Sequence, residues 1–447
     1  MDFYLNLKDD AITEICQHLG NHGWIYEHPV TEHYNQKFAL FTPDLVAWIR
    51  AAWPESWEIL LTKFGSKTED QLVRTVHREL NQRGTLSVIR NGITVFGLKH
   101  NLKLAEFKPA MGIDKEMQSR YKANRLRVVR QIKDSINNEI YIDLVLYLNG
   151  ISVATAIHTI GEQTIEDAIN RYKKASLYKK KSEETFESIL NYPSGALVHF
   201  AISTLEVQMA TKLEGNETIF LPFNQGSEPG SKDCGAGNPK KVGGRQTSYL
   251  WTIVWKRESW LEILGHYVTT EQNKKNQIQR TLFPRFHQLR VTRKLVEAIK
   301  HDGPGHKYLI QHSAGSGKTH SIAWTAHFFS ELNDAQNKKI FNGVIVVSDR
   351  NVIDTQLQAA LKAVGQRPRD LATIQRRGGS KSQQLADALS KDKKIIVCTI
   401  QTFPYALEAA RDLSANEGKS FAVIADEAHS SQTGEAAIKL KKILSPS

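Results

Sequence analysis

A glycine-rich loop in the second half of the chain constrains the fold more than any other sequence feature. Residues 311–319 read QHSAGSGKT, and the pattern that follows predicts a helix over residues 319–329. Gly315 and Gly317 lack side chains, so backbone N–H groups, that of Ser316 among them, could converge on phosphates at the start of the helix. A loop of this kind joins a strand to a helix, which predicts an α/β fold.

Two side chains would complete a phosphate site in this loop. Lys318 would reach the outer phosphates of a nucleotide, and the Thr319 hydroxyl would bind Mg²⁺. His312 stands where the general loop pattern has glycine. Taken alone, such a string is also compatible with an ordinary loop and helix cap.

A second motif follows further along the chain. Residues 421–429 read FAVIADEAH, an apolar strand that ends on two adjacent carboxylates. Asp426 is expected to hold Mg²⁺ through water, and Glu427 to orient the water that attacks the γ-phosphate. Asp-Glu-Ala-His alone is also an ordinary helix start. Because both motifs occur in order, each behind an apolar strand, the chain is predicted to bind ATP and Mg²⁺.

Composition indicates a globular chain with a polyanionic partner. The chain has 447 residues, 40% hydrophobic content and a formal net charge of +12. The length allows two or three domains, and the positive charge suits nucleic acid. Cys16, Cys234 and Cys398 are scattered without metal-ligand spacing, which favours free thiols in a reducing cytoplasm. Because no apolar run approaches roughly 18 residues, no membrane partner is expected.

The first part of the chain changes from helical to β-rich patterning. Helices are expected within residues 9–64 and over residues 68–82, followed by a hairpin at residues 84–93 with an Asn-Gly turn. The remaining expectations are strands at residues 125–132, 141–148 and 151–160 with a tight turn at Asn149-Gly150, a helix over 162–181, a Gly/Pro-rich mobile loop at 226–246 and an aromatic helical stretch over 249–260.

The domain boundaries are inferred from a polar segment. Residues 1–268 are expected to form a first domain, with a helical start over 1–82 and a β-rich core over 84–181. Residues 269–281 would be a linker, and residues 282–447 a second domain. In that domain, strands at 308–312, 343–348, 395–400 and 421–425 alternate with helices, which predicts a parallel sheet wrapped by helices.

Further polar residues lie where a nucleotide or a DNA strand would bind. Gln288 precedes the loop, and its amide can both donate to and accept from adenine. Arg350 and Thr399 follow predicted strands at the ligand-binding edge of the sheet, where they could hold sugar-phosphate. Loop capping is the alternative for each of these residues.

With these motifs in this order, the second half resembles the first RecA-like domain of superfamily-two, DEAH-box helicases and translocases. The resemblance implies an adenine contact for Gln288, nucleic-acid contacts for Arg350 and Thr399, and catalytic roles for Asp426 and Glu427. Such motors hydrolyse ATP between two RecA-like lobes. The given sequence has no room for a second lobe, so weak hydrolysis is expected from this chain alone.

The first half carries a second resemblance. Residues 124–131 (NRLRVVRQ) and 142–150 (IDLVLYLNG) are similar to the nuclease domain of type I restriction enzyme R subunits, and residues 308–318 and 426–432 are similar to the motor of that subunit. The resemblance covers essentially the whole chain. It implies a restriction-endonuclease-like α/β domain followed by one RecA-like parallel-sheet domain.

The resemblance also implies a function and partners. The chain would be the R subunit of a type I restriction-modification system, or its amino-terminal portion. It would bind double-stranded DNA and the modification (methyltransferase) and specificity subunits, and translocate DNA in the full complex. One alternative is a catalytically inactive remnant that binds DNA or the modification subunits. Another is a stand-alone helicase-like ATPase with an unrelated amino-terminal domain.

The nuclease site implied by the resemblance is incomplete in this sequence. The family pairs an Asp on one strand with Glu-x-Lys on the next, and Asp143 fits the first position. In place of Glu-x-Lys, the next strand has Ile157-His158-Thr159 or a neighbouring frame, since the segment is one residue short. His158 and two carboxylates on the following helix, Glu162 and Glu166, are candidate substitutes. A degenerate nuclease site is expected, with a strand-end carboxylate as the alternative role for Asp143.

Overall fold

The chain divides into two compact units, with the boundary between Phe286 and His287. A computed structural model describes residues 2–27, 34–108, 114–133, 141–159, 161, 163–181, 189–227, 236–241, 244–273, 275, 277–313, 315–348, 355–365, 370–374, 384, 387–388, 393–399 and 418–426. Among these residues, no helix is both long enough and apolar enough to cross a membrane.

The first unit begins with helices that pack around buried tryptophans. The helices are α1 (Asp2–Asn21), α2 (Thr42–Ala52), α3 (Pro54–Phe64), α4 (Thr68–Arg83), α5 (Thr85–Asn91) and α6 (Lys115–Ala123). Proline stands in the first turn of both α2 and α3, where its missing N–H costs no helical hydrogen bond. Trp48 and Trp57 are buried on these two helices, so they pack in the core as large apolar side chains do.

The hairpin predicted at residues 84–93 is wrong, because this segment forms α5. Gly84 has φ +75° and Gly92 has φ +69°, and these two glycines bound the helix. Leu86 and Ile89 are buried at helical spacing. The glycines that indicated a hairpin therefore end one helix and cap the next.

A mixed sheet forms the centre of the first unit. The described strands are β1 (Tyr34–Asn35), β2 (Leu40–Phe41), β3 (Leu126–Lys133), β4 (Tyr141–Leu148), β5 (Ile151–His158), β6 (Val198–Ile202), β7 (Val207–Ala210) and β8 (Leu221–Pro222). β3, β4 and β5 form an antiparallel meander, and β5 continues parallel to β6. The crossover between β5 and β6 contains α7 (Ile165–Lys181), which packs against both strands. The strands predicted at 141–148 and 151–160 and the helix that follows are confirmed within a few residues.

The tight turn between β4 and β5 is also confirmed. Asn149 has φ +49° and Gly150 has φ +80°, both in the left-handed region that a two-residue hairpin turn requires. A Cβ on Gly150 would collide with the carbonyl oxygen of Phe41. Only glycine fits at this position.

The carboxyl-terminal part of the first unit is helical and aromatic before it ends in a small sheet. Two π-helical turns, Leu250–Val254 and Ile263–Tyr267, flank α8 (Arg257–Glu262). The linker predicted over residues 269–281 is wrong. Strands β9 (Thr269–Gln272) and β10 (Ile278–Leu282) pair there as an antiparallel ribbon. Thr269 and Thr281 are buried in it, and its other polar side chains are half-buried or exposed. Of the predicted mobile loop, residues 228–235 and 242–243 lie outside the described residues.

The second unit contains a parallel sheet and helices. Its elements are α9 (Phe286–Asp302), α10 (Lys318–Ser330), β11 (Gly343–Ser348), α11 (Thr355–Val364), β12 (Leu371–Thr373), β13 (Ile395–Thr399) and β14 (Phe421–Ala425). Among the described strands the order is β12-β13-β11-β14, all parallel. The strands predicted at 343–348, 395–400 and 421–425 are confirmed, and with them the α/β fold class.

The strand predicted at residues 308–312 is wrong in this structure. These residues have no regular structure, and Leu309 is 89% exposed. An apolar run becomes a strand only when a neighbour satisfies its backbone groups. Among the described strands, none pairs with this segment.

Candidate functional site

The phosphate loop has the backbone conformation that its glycines permit. Gly315 has φ +72° and Gly317 has φ +83° with ψ +36°, so both adopt left-handed conformations that side chains disfavour. The Ser316 N–H donates to the Ser313 carbonyl at 3.3 Å, which tightens the loop into a turn. α10 begins at Lys318, directly after Gly317.

The start of α10 offers a positive environment to an anion. Lys318 and Thr319 occupy its first turn and are half-buried. The N-terminal N–H groups of a helix and its dipole favour negative charge at this end. Phosphate binding by these N–H groups and by Lys318 stays a prediction.

Gln288 contacts the phosphate loop from α9. Its Nε2 donates to the Gly317 carbonyl at 3.0 Å and to the Ser316 carbonyl at 3.4 Å, and its side chain is buried. A Cβ on residue 317 would lie 2.6 Å from this nitrogen. Gln288 therefore holds the loop in place, and its predicted contact with adenine stays a prediction.

Two histidines, His312 in the loop and His287 on α9, lie side by side, and the sequence does not indicate this pair. His287 Nε2 donates to the Ser316 carbonyl at 2.9 Å, and its ring meets the His312 ring edge-on at 5.4 Å between centroids. Burial lowers the pKa of His312, and the nearby His287 and Lys318 lower it further. The sequence signal was His312 itself, since it replaces the glycine of the general loop pattern.

The sheet brings other predicted site residues to one edge. Ser348 pairs with Thr399 at the ends of β11 and β13, and Val347 pairs with Ala425 at the ends of β11 and β14. Asp426 follows directly, and its N–H donates to the Val347 carbonyl at 2.9 Å. α10 packs on β11, β13 and β14. The loop that precedes α10 therefore belongs to the same packed helix and sheet as this edge. Arg350 and Glu427 lie outside the described residues.

The predicted nuclease residue Asp143 is held by an arginine from α7. Arg171 Nη1 donates to Asp143 Oδ2 at 2.9 Å and Nη2 donates to Oδ1 at 3.0 Å. The His158 backbone N–H donates to Oδ2 at 2.9 Å. The Asp143 side chain is 6% exposed and that of Arg171 is 32% exposed. Sequence reasoning did not single out Arg171.

The other nuclease candidates do not complete a metal site. Ile157, at the position of the family's Glu, is buried in the hydrophobic cluster under α7. The Thr159 hydroxyl, at the position of the Lys, donates to the Ile202 carbonyl at 3.2 Å. Glu166 is exposed in the first turn of α7, and Glu162 lies outside the described residues. Within the described part of the chain, no group of three His, Cys, Asp or Glu side chains could hold a metal ion.

Comparisons with known proteins match both parts of the chain. Residues 7–218 match the family model described as the type I restriction enzyme R protein N terminus. Residues 287–447 match the SWI2/SNF2 ATPase family. No curated protein matches the chain.

Proposed function

We propose that the second unit of this R-like protein of the type I restriction enzymes binds ATP with Mg²⁺ to drive movement along double-stranded DNA. An SWI2/SNF2 ATPase region follows the R-protein N terminus in this chain. The observation that carries the proposal is the loop with left-handed Gly315 and Gly317 at the start of α10. Within the described residues, this loop and the adjacent sheet edge would bring a phosphate cradle next to a cation ligand.

The loop residues and two carboxylates after β14 would have distinct roles toward the nucleotide. The N–H groups at the start of α10 bind the phosphates, and Lys318 neutralises their outer charge. Thr319 and Asp426 would hold Mg²⁺, the first directly and the second through water. Glu427 would orient the attacking water. The bound metal would supply charge neutralisation on the β- and γ-phosphate oxygens.

DNA would be held by its phosphates. Thr399 ends β13 at the same edge as Asp426, and Arg350 follows β11 in the sequence. Such contacts position a duplex without reading its bases, so the target sequence would be recognised by the specificity subunit. Movement would occur in the complex with the modification and specificity subunits.

The first unit would contribute a fold without nuclease activity. Asp143 is paired with Arg171, and Ile157 replaces the second carboxylate. Metal-dependent hydrolysis of a phosphodiester needs carboxylates that are open to Mg²⁺ or Mn²⁺. A catalytically inactive chain that binds DNA or the modification subunits is therefore the second candidate function. The match over residues 7–218 argues against an unrelated amino-terminal domain.

Translocation is tested in the reconstituted complex with the modification and specificity subunits. A labelled third strand bound to the duplex should be displaced by the wild type in the presence of ATP and Mg²⁺. Displacement should be lost in Thr319→Ala and Asp426→Asn, because neither variant would hold the metal properly. A matched exposed variant, Lys300→Ala, should behave as the wild type. Displacement that survives in both metal-site variants would rule out the assignment.

A further inference from the structure

The carboxylate of Asp143 is enclosed by donors. Arg171 donates two hydrogen bonds to it in a bidentate arrangement, and the His158 N–H donates a third. Arg171 also donates from Nη2 to the Tyr141 carbonyl at 2.9 Å, so the guanidinium spans the start of β4. A carboxylate offers about four acceptor positions. At least three of them are already used by protein donors.

The position of Arg171 is built into the fold. Its neighbour Tyr172 lies under α7, where the hydroxyl oxygen is 2.9 Å from Thr155 Oγ1 on β5. Thr155 Oγ1 in turn lies 2.8 Å from His199 Nδ1 on β6. These buried contacts fix the rotation of α7 about its axis, and burial raises the pKa of the Tyr172 hydroxyl so that it stays neutral. Arg171 is thereby directed to the end of β4 that carries Asp143.

A divalent metal ion does not fit beside this pair. The metal would need lone pairs that Arg171 and His158 occupy, and it would lie against a fixed positive charge. The Ile157 side chain, which has no ligand atom, lies at the position of the second carboxylate. The family-implied metal and the residues present therefore disagree.

We propose that the guanidinium of Arg171 has taken the place of the metal ion in this site. A nearly buried carboxylate needs a positive partner, because an unpaired buried charge is strongly destabilising. Arg171 supplies that charge permanently. As a result the first unit folds without a divalent metal, and Asp143 is closed to Mg²⁺ and Mn²⁺. This inference deepens the proposed loss of nuclease activity and does not depend on the ATP site.

The test uses the full chain without nucleotide. Five proteins are compared: the wild type, Arg171→Met, Asp143→Asn, the double variant, and Lys174→Met as a control on the exposed side of the same helix. The midpoint of thermal unfolding is measured in EDTA and in millimolar Mn²⁺, and bound Mn²⁺ is counted by electron paramagnetic resonance. Metal bound in the second unit is common to all five proteins and cancels in the comparison.

The proposal makes a definite set of expectations. Arg171→Met should lower the midpoint by about 5 °C or more, and Asp143→Asn by less, because only the first leaves an unpaired buried charge. The double variant should lose less than the sum of the two single losses. Mn²⁺ should shift the midpoints of the wild type and Asp143→Asn equally and raise that of Arg171→Met further, with extra bound Mn²⁺ in that variant alone. Lys174→Met should match the wild type.

Other results would overturn the proposal. Additive single and double variants would show that Arg171 and Asp143 do not stabilise each other. Bound Mn²⁺ in the wild type that disappears in Asp143→Asn would show that the carboxylate is open to metal, and this comparison holds even if Arg171→Met does not fold. Plasmid cleavage with Mn²⁺ that Asp143→Asn abolishes would contradict the loss of nuclease activity itself. Missing coupling without cleavage would contradict only the role of Arg171.

Discussion

At the scale of single residues, both the backbone conformation and the contact with Gln288 require glycine at residue 317. Gly317→Ala should destabilise the second unit by roughly 1–2 kcal/mol, because alanine disfavours φ +83°. The added Cβ would also displace Gln288 Nε2 from its hydrogen bonds to the loop. Nucleotide affinity should therefore fall at least tenfold in calorimetry.

Gly303 provides the matched control for this variant. It has φ +78° with open space around it, so Gly303→Ala carries the same backbone strain without touching the loop. It should lose similar stability and keep nucleotide affinity. Equal affinity losses in both variants would mean that the strain, and not the contact with Gln288, affects the site.

His327 should make the stability of the second unit depend on pH. Burial lowers its pKa below the ordinary 6.5, although a 2.8 Å hydrogen bond to the Leu361 carbonyl opposes the shift. The folded state therefore binds the proton less readily than the unfolded state. Stability is full above pH 6.5 and is lost as the pH falls below that value.

The measurement is the unfolding midpoint between pH 7.5 and 5.5. His327→Gln keeps a donor for Leu361 but cannot be protonated, so its midpoint should fall less steeply than that of the wild type. A residual slope is expected because the pKa of His312 is lowered in the same direction. Identical slopes in the two proteins would contradict this explanation.

At the scale of elements, the turn between β4 and β5 requires glycine at residue 150. Gly150→Ala should destabilise this unit by roughly 3 kcal/mol or more, since backbone strain adds to a collision with the Phe41 carbonyl that no side-chain movement relieves. Gly65→Ala, with φ +54° and open space, is the control and should cost less. Chemical unfolding of the two variants compares them directly, and equal losses would exclude the collision.

Elements were predicted well where sequence pattern and tertiary surroundings agree. β4 and β5 are apolar runs joined by Asn149-Gly150, and all of their residues except Tyr141 are buried. The hairpin predicted for residues 84–93 is wrong because glycine ends helices as readily as it forms hairpin turns. The strand predicted for residues 308–312 is wrong because an apolar run does not specify whether a neighbouring strand is present to pair with it.

The sequence also indicates candidate sites better where their residues are consecutive than where tertiary packing brings them together. The left-handed glycines of the loop and the position of Asp426 after β14 follow from consecutive residues, so the sequence indicates both, and their roles toward a nucleotide stay predictions. Arg171 was not predictable, because its partner Asp143 is distant in the sequence and only the packing of α7 brings the two together. A missing Glu-x-Lys could be seen in the sequence, but not the residue that compensates for it.

At the scale of the whole molecule, the net charge of +12 should dominate DNA binding. Contacts to phosphates release counterions, so the affinity should fall at least tenfold between 50 and 200 mM salt. Two duplexes of unrelated sequence should give the same slope in fluorescence anisotropy. An affinity that is constant over this range, or that differs strongly between the duplexes, would contradict phosphate-based binding.

Calorimetric titration with ATP and Mg²⁺ measures whether the second unit is an ATP-binding motor domain. Lys318→Ala removes the ammonium that meets the outer phosphates, so binding should weaken at least tenfold or become undetectable. Lys300→Ala, which removes an exposed lysine from α9, should bind as the wild type does. Equal affinity of the wild type and Lys318→Ala would mean that the loop does not bind the nucleotide phosphates.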